Sequence, residues 1–260
     1  MIAFTTRKGG VSRGPYDSLN LSLQVGDEEH AVRENLRRVR HALGITTLFT
    51  MNQIHSARVV FFAEPDKQEK QQEADAAFSD LPGIGLGIKV ADCLPVYIWS
   101  CKPPVVGLAH CGWRGTATRL AEKLAQQMSE RFSVPLPRLH FALGPCICAD
   151  CYVVGEDVAA EFRQQFPSAD RFLRPAEQQE VSESQRFDPL NPRTLGPWNH
   201  FRFHLDLRSA NRSLLTGLGL VEAGSLDLCT KENPEHFYSV RRDGTAGRNL
   251  AVIVLRRAKW

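Results

Sequence analysis

Between Gly83 and His110 the chain passes through three apolar segments, "GIGLGIKV", "PVYIW" and "PVVGLAH". The first two flank "ADCL", and the third carries its polar residue only at the end. Such continuous apolar runs predict strands buried on both faces. "MIAFTT", "ARVVFF", "RLHFALG" and "LAVIVL" read as further strands. "EEHAVRENLRRVRHALG" predicts an amphipathic helix: Val32, Leu36, Val39 and Leu43 fall at helical spacing, acids come first and Gly44 stops it. A second helix is expected to start near Thr116 as N-cap, with Leu120, Leu124, Met128 and Phe132 at every fourth position. "VGEDVAAEFRQQF" and "LDLRSANRSLLTGLG" are two more helices, the latter capped by Gly217 or Gly219. Helices and strands mix without a strict βαβ alternation, so the expected class is α+β.

Residues 64–75, "EPDKQEKQQEAD", predict a polar surface excursion, and the Pro-rich stretch 175–199 a long loop rather than a domain linker. One domain spanning residues 1–260 is therefore expected. A net charge of +3, with Lys and Arg scattered, argues against a nucleic-acid partner. No apolar run is long enough to span a membrane. "MIAFTTRKGG" lacks the apolar core of a signal peptide, and seven cysteines is an odd number for a secreted disulfide framework. A reducing cytoplasm is the expected location, with thiols available for metal or catalysis.

The densest chemistry lies in "GLAHCGWRGT", residues 107–116. His110 ends a buried strand, Gly112 and Gly115 make a turn, and a helix begins. Backbone N–H groups at such a helix start favour an anion, and Arg114 can fork onto a phosphate or carboxylate. Cys93 lies between two apolar strands beside Asp92, and His55 precedes a third strand. Taken singly, each has a plainer reading: turn-making glycines, a surface arginine, a small buried thiol, a satisfied polar histidine. Taken together, His55, Cys93 and His110 form a ligand set suited to zinc or copper, with a coordination position left open. Cys111 is the alternative thiol, but in a continuing strand it points away from the side His110 faces. Cys146, Cys148 and Cys151 in "GPCICADCY" lack an obvious fourth ligand and are expected to be reduced structural thiols; Cys101 and Cys229 have no informative context. Arg7, Arg241, Arg242 and Arg248 stand in glycine-bearing turns and form either a solvated basic surface or a cationic rim for an anionic substrate.

The motifs "TRKGGVSRGPYDSLNL", "VGDEEHAVRENL", "NQIHSARV", "EADAAFSDLPGIGLGIKVADCLPV", "AHCGWRGT", "ALGPCI", "LDL" and "FYSVRRDGTAGR", in this order over nearly the whole chain, resemble the YfiH, or laccase-domain, family. The resemblance implies an α+β fold of layered mixed sheets flanked by helices. It implies phosphorolysis of purine nucleosides (adenosine, inosine, methylthioadenosine) and deamination of adenosine. Older family names point instead to a polyphenol oxidase, and some bacterial members are described as peptidoglycan editing factors. The family's metal-binding histidine, cysteine and histidine fall on His55, Cys93 and His110. Asp92 is then expected to shuttle protons beside Cys93, and Arg7, Asn20, Arg114 and Arg241 to bind substrate. Leu36, where the family commonly has arginine, and Val240, where it commonly has an aromatic, are departures that bear on substrate preference and leave the metal set intact.

A zinc-dependent purine nucleoside enzyme is the first expectation, acting as a monomer on nucleoside and phosphate. A copper oxidase ranks low, because the chain has eight histidines and no His-x-His pair. A cysteine hydrolase of cell-wall precursors, with Cys93 as nucleophile and His110 or His55 as base, uses the same three residues. A non-enzymatic binding module is the remaining alternative.

Overall fold

The computed structural model describes residues 1–63, 72–176 and 202–256. In chain order the strands are β1 Ile2–Phe4, β2 Thr47–Thr50, β3 Val59–Phe61, β4 Ala76–Ser79, β5 Ile84–Val90, β6 Leu94–Cys101, β7 Pro104–Cys111, β8 His140–Leu143, β9 Val153–Gly155, β10 Leu173–Pro175, β11 Arg202–Leu205, β12 Val221–Ser225 and β13 Asn249–Val254. The helices are α1 Glu29–Leu43, α2 Trp113–Ala117, α3 Leu120–Phe132, α4 Glu156–Gln165, α5 Leu207–Gly217 and α6 Val240–Asp243. Two sheets dominate: a four-stranded sheet in the order β1-β13-β5-β2 and a six-stranded sheet in the order β12-β8-β6-β7-β4-β3. Both mix parallel and antiparallel pairs. A smaller sheet, β10-β11-β9, stands beside them.

The period-2 side-chain alternation of the strands builds the layers. Ala77, Tyr97, Val106 and Leu108 of the six-stranded sheet pack with Leu86, Ile88, Ala251 and Ile253 of the four-stranded one. The alternate residues, Val96, Ile98, Val105 and Ala109, face away and pack with Leu120, Leu124 and Met128 of α3 and Leu214 of α5. On the far face of the four-stranded sheet, Leu250, Val252 and Val254 pack with Val39 of α1, and Leu36 and Leu43 are partly buried against them. The result is helix, sheet, sheet, helix, which agrees with the expected layered α+β class. It explains why "GIGLGIKV" alternates glycine with bulk. A Cβ on Gly85 would come within 2.6 Å of the Ile45 Cδ1 methyl, so the outer face of β5 stays bare for the next layer to close on it.

Several sequence expectations change. The helix after His110 does not start at Thr116. It starts at Gly112, which is the N-cap of the five-residue α2, and it is interrupted at Arg119, whose φ of 58° is left-handed, before α3 resumes at Leu120. Thr116 is buried inside α2, where its hydroxyl accepts from Asn211 Nδ2 at 2.9 Å. α5 ends at Gly217, and Gly219 supplies the left-handed residue, with φ 85°. β2, β4 and β12 are short strands whose few residues carried no clear period. Most of the predicted excursion at 64–75 and nearly all of the loop at 175–199 lie outside the described residues. No described helix is long and apolar enough to cross a membrane.

Candidate active site

His110 is the penultimate residue of β7, Cys93 sits in the β5–β6 turn, and His55 lies in the bend between β2 and β3. These segments converge, and one ligand atom from each lies within 4.8 Å of the other two. The two imidazole rings stand edge-to-face with centroids 4.9 Å apart. His110 is buried, Cys93 half-buried and His55 exposed, so the set faces solvent on one side. Cys111 is fully buried in the opposite core, as strand alternation predicts. Gly112 makes the convergence possible: a Cβ there would lie 2.9 Å from Cys93 Sγ and 3.6 Å from His55 Cδ2.

Asp75, fully buried just before β4, organises the cluster. It accepts from the backbone N–H groups of His55 (3.1 Å) and Ser56 (2.6 Å) and from Ser56 Oγ (2.9 Å). It also accepts from His110 Nδ1 at 2.9 Å, and its own carbonyl takes the His110 N–H at 2.7 Å. One carboxylate thus holds His55 at its left-handed φ of 58° and fixes the tautomer of His110, leaving Nε2 as the ligand atom. Sequence reasoning missed Asp75; its signal was a lone acid inside the small apolar string "ADAAF".

Burial opposes charge on Cys93, His110 and Asp75. On Cys93, the adjacent His110 and His55 outweigh burial and bring the thiol down to about 6. On His110, Cys93 and Asp75 outweigh burial and raise the imidazole to about 9. Asp75 stays ionised, at about 2, because hydrogen bonds from His110 and Ser56 outweigh its burial. The arrangement therefore favours a thiolate at Cys93, which is the form that ligates a cation.

The cluster opens into a cleft of about 790 Å³. Among the described residues its lining includes the cations Lys89, Arg114, Arg202, Arg241 and Arg248 against the carboxylates Asp92 and Asp157. Arg114 is exposed, with its guanidinium 4.3 Å from the centroid of the Trp113 ring. Arg241 lies 4.9 Å from the Tyr152 ring centroid and donates to the Val153 carbonyl at 2.9 Å. Lys89, Trp113, Tyr152 and Arg202 were not singled out as binding residues from sequence; they sit in strands, in a helix turn or in a loop whose approach to the cleft is purely tertiary.

Three expected site residues take other roles. Arg7 is absent from the cleft lining. It donates to the carbonyls of Asp17 (3.0 Å) and Pro234 (3.2 Å) and lies over the Tyr238 ring, so it ties the first loop to the C-terminal region. Asn20 is fully buried. It donates to Ser22 O and Asp27 Oδ2 and accepts from Arg248 N–H, which makes it a loop anchor behind the site. Asp92 does line the cleft, but Oδ1 accepts from Thr230 Oγ1 at 2.7 Å and Oδ2 from the Arg241 N–H at 2.8 Å. With one hydrogen bond on each oxygen and φ at 108°, it fixes the turn that presents Cys93.

Residues 1–256 match the family described as multi-copper polyphenol oxidoreductase laccase. The chain belongs to this laccase-domain, or YfiH, family. This laccase-domain protein is 38% identical over 261 residues to the purine nucleoside phosphorylase of Deinococcus radiodurans, covering 98% of this chain and 89% of that one. It is 32% identical over 265 residues to an adenosine deaminase, RL5, from an unknown prokaryotic organism, covering 96% and 92%. Its fold is similar to that of the YfiH protein of Bacillus licheniformis, with a TM-score of 0.83 at 27% identity, covering 98% and 92%. Metal binding is a property the laccase-domain name implies, and the His55, Cys93 and His110 set is a site able to provide it.

Proposed function

We propose that this laccase-domain enzyme acts on purine nucleosides, cleaving them with phosphate and deaminating adenosine, at a zinc ion held by His55, Cys93 and His110. The observation that carries the reading is the position of a two-imidazole, one-thiolate set at the end of a cleft lined by five cations. The donor set fits zinc: a thiolate held down by its neighbours, a buried imidazole whose second nitrogen is fixed by a carboxylate, and an exposed side left for a further ligand. Neither reaction changes an oxidation state, so neither requires copper. Relatives named for phosphorolysis and for deamination support the same substrate class.

Zinc, when bound, supplies a Lewis acid and lowers the pKa of a coordinated water to about 7. The chain's own groups do the positioning. Trp113 and Tyr152 give the cleft aromatic walls for a base, while Arg114 and Arg241, stacked on those rings, present planar forks to phosphate. In phosphorolysis a phosphate oxygen bonds to the ribose C1′ carbon as the bond to the purine nitrogen breaks, and the departing purine takes up a proton. In deamination water adds at C6 of the purine and ammonia leaves. Asp92 acts through the turn it holds, and Asp75 through the two histidines.

A nucleoside panel of adenosine, inosine and methylthioadenosine, with and without phosphate, tests the proposal by mass detection of free base, ribose 1-phosphate and inosine. Products that need phosphate, and inosine formed without it, are expected; Cys93→Ala should abolish both and lower bound zinc. Turnover that survives chelation while an electrophile traps Cys93 would replace this reading with a cysteine hydrolase, which the Cys93–His110 pair also suits. Oxygen uptake on a phenol by copper-loaded protein, with no nucleoside turned over, would replace it with an oxidase. Arg114→Lys keeps the charge but loses the fork and the stacking. It is expected to raise the KM for phosphate while leaving deamination less affected; steady-state kinetics of both reactions check this.

A further inference from the structure

A second group of metal-ligating side chains lies outside the cleft. Cys148 and Cys151 form a Cys-x-x-Cys turn, and Cys229 and Glu232 repeat the same two-residue gap as Cys-x-x-Glu. Sequence reasoning found no fourth partner for the thiols, because Cys229 and Glu232 lie some eighty positions away; Cys148 and Cys229 are separated by 81. In the fold one donor atom from each of the four residues lies within 4.8 Å of all the others. Tetrahedral zinc with bonds of about 2.3 Å needs donors roughly 3.8 Å apart, a contraction that side-chain torsions supply. The cysteines are unbridged thiols, and Cys148 Sγ already donates to Glu232 Oε2 at 3.6 Å.

The backbone around these residues is already set. Cys146 and Cys229 form an isolated parallel bridge, with the Cys146 N–H on Leu228 O (3.2 Å) and the Thr230 N–H on Cys146 O (3.1 Å). The Cys148 N–H donates to Cys229 Sγ at 3.3 Å, the kind of hydrogen bond that supports a ligating sulfur. Arg242 Nη1 donates to the carbonyls of Thr230 (2.9 Å) and Lys231 (3.0 Å), bracing the Cys-x-x-Glu turn from outside. Cys229 is buried, Cys148 and Cys151 half-buried and Glu232 exposed, so four protein donors surround one point beneath a thin polar edge.

We propose that Cys148, Cys151, Cys229 and Glu232 form a structural zinc site, separate from the cluster at the cleft. Four protein ligands close the coordination shell, which is the signature of a structural rather than a catalytic centre. Three thiolates select a soft cation over magnesium or calcium. The two turns it joins both reach the cleft wall. The first leads directly into Tyr152, and the second carries Thr230, whose hydroxyl holds Asp92 beside Cys93. The ion clamps that wall.

The test is metal content and cobalt spectroscopy on the full chain, purified in reductant and reconstituted with Zn²⁺ or Co²⁺ alone. Wild type should hold about two zinc ions per chain. Cys93→Ala should retain one, and Co²⁺ bound to that variant should show an intense thiolate-to-metal charge-transfer band. A Cys148→Ser/Cys151→Ser variant should lose one zinc and melt at a lower temperature. Glu232→Ala, at an exposed position, should fold and bind Co²⁺ more weakly with a changed ligand-field spectrum. Cys93→Ala protein with no zinc and no cobalt–thiolate band overturns the site. So does a Cys148→Ser/Cys151→Ser or Glu232→Ala protein that is folded and indistinguishable from wild type in both measurements. Zinc at the cleft is read separately, as the equivalent lost in Cys93→Ala, so failure of that site leaves this one standing.

Discussion

At the scale of single residues the cleft depends on two that hold the His55, Cys93 and His110 set in place. Asp75 carries four hydrogen bonds from the His55–Ser56 bend and His110. Asp75→Asn is expected to weaken zinc binding about 10- to 100-fold, the usual effect of removing a carboxylate behind a ligating imidazole; competition with a chromogenic chelator measures it. The same residue has a pH signature. Its carboxyl sits at about 2 in the folded chain against an ordinary 3.8. Its stabilising contribution is therefore complete above that ordinary value and is lost as the pH falls through the window down to about 2. The stability advantage of wild type over Asp75→Asn, followed by urea unfolding, should hold at pH values above the window and shrink within it. Gly112 is the second such residue. Because an added Cβ would press on Cys93 Sγ at 2.9 Å, Gly112→Ala should lose the cleft zinc and activity. Gly217→Ala, where a Cβ meets nothing within 4 Å, should retain both and serves as the control.

Among the elements, β7 and α3 do most to hold the site. β7 delivers His110 and is covered on one face by the other sheet and on the other by α3. α3 follows its strand after only the short α2, and its apolar stripe of Leu120, Leu124 and Met128 is fully buried. Leu124→Ala leaves a cavity between α3 and β7 and should cost about 2–5 kcal/mol of stability, read from the shift in denaturation midpoint. Since Leu124 lies in the core beneath α3 and does not line the cleft, zinc content at low temperature should stay near wild type. The short α2 shows the reverse relation. It is too short to have been read as a helix of its own, yet its first turn carries Gly112, Trp113 and Arg114 into the cleft.

The whole molecule has a net charge of only +3, so its overall field is weak. The cleft is different, because the fold gathers Lys89, Arg114, Arg202, Arg241 and Arg248 from four separate stretches of the chain onto one surface. A local cationic field of that kind is screened by salt, with a Debye length of about 10 Å at 0.1 M falling to about 3 Å at 1 M. The KM for phosphate is expected to rise with potassium chloride, while the KM for uncharged adenosine in deamination stays nearly flat. Initial rates at low and high salt separate the two.

The chain's local chemistry was legible without a structure. Apolar runs and helical spacing located the helices α1, α3, α4 and α5 and the long strands β5 to β7, because side-chain period is a property of neighbouring residues. The residue types of the cleft cluster were also visible, and the resemblance pointed to His55, Cys93 and His110. What only the tertiary structure decided is which distant residues meet. His110 and Asp75 are 35 positions apart, and Cys148 and Cys229 are 81. Arg7 and Asn20, which were expected to bind substrate, anchor loops outside the ligand set. Strand order and register set these contacts, and they are fixed by burying all layers at once, so no local window of the sequence contains them.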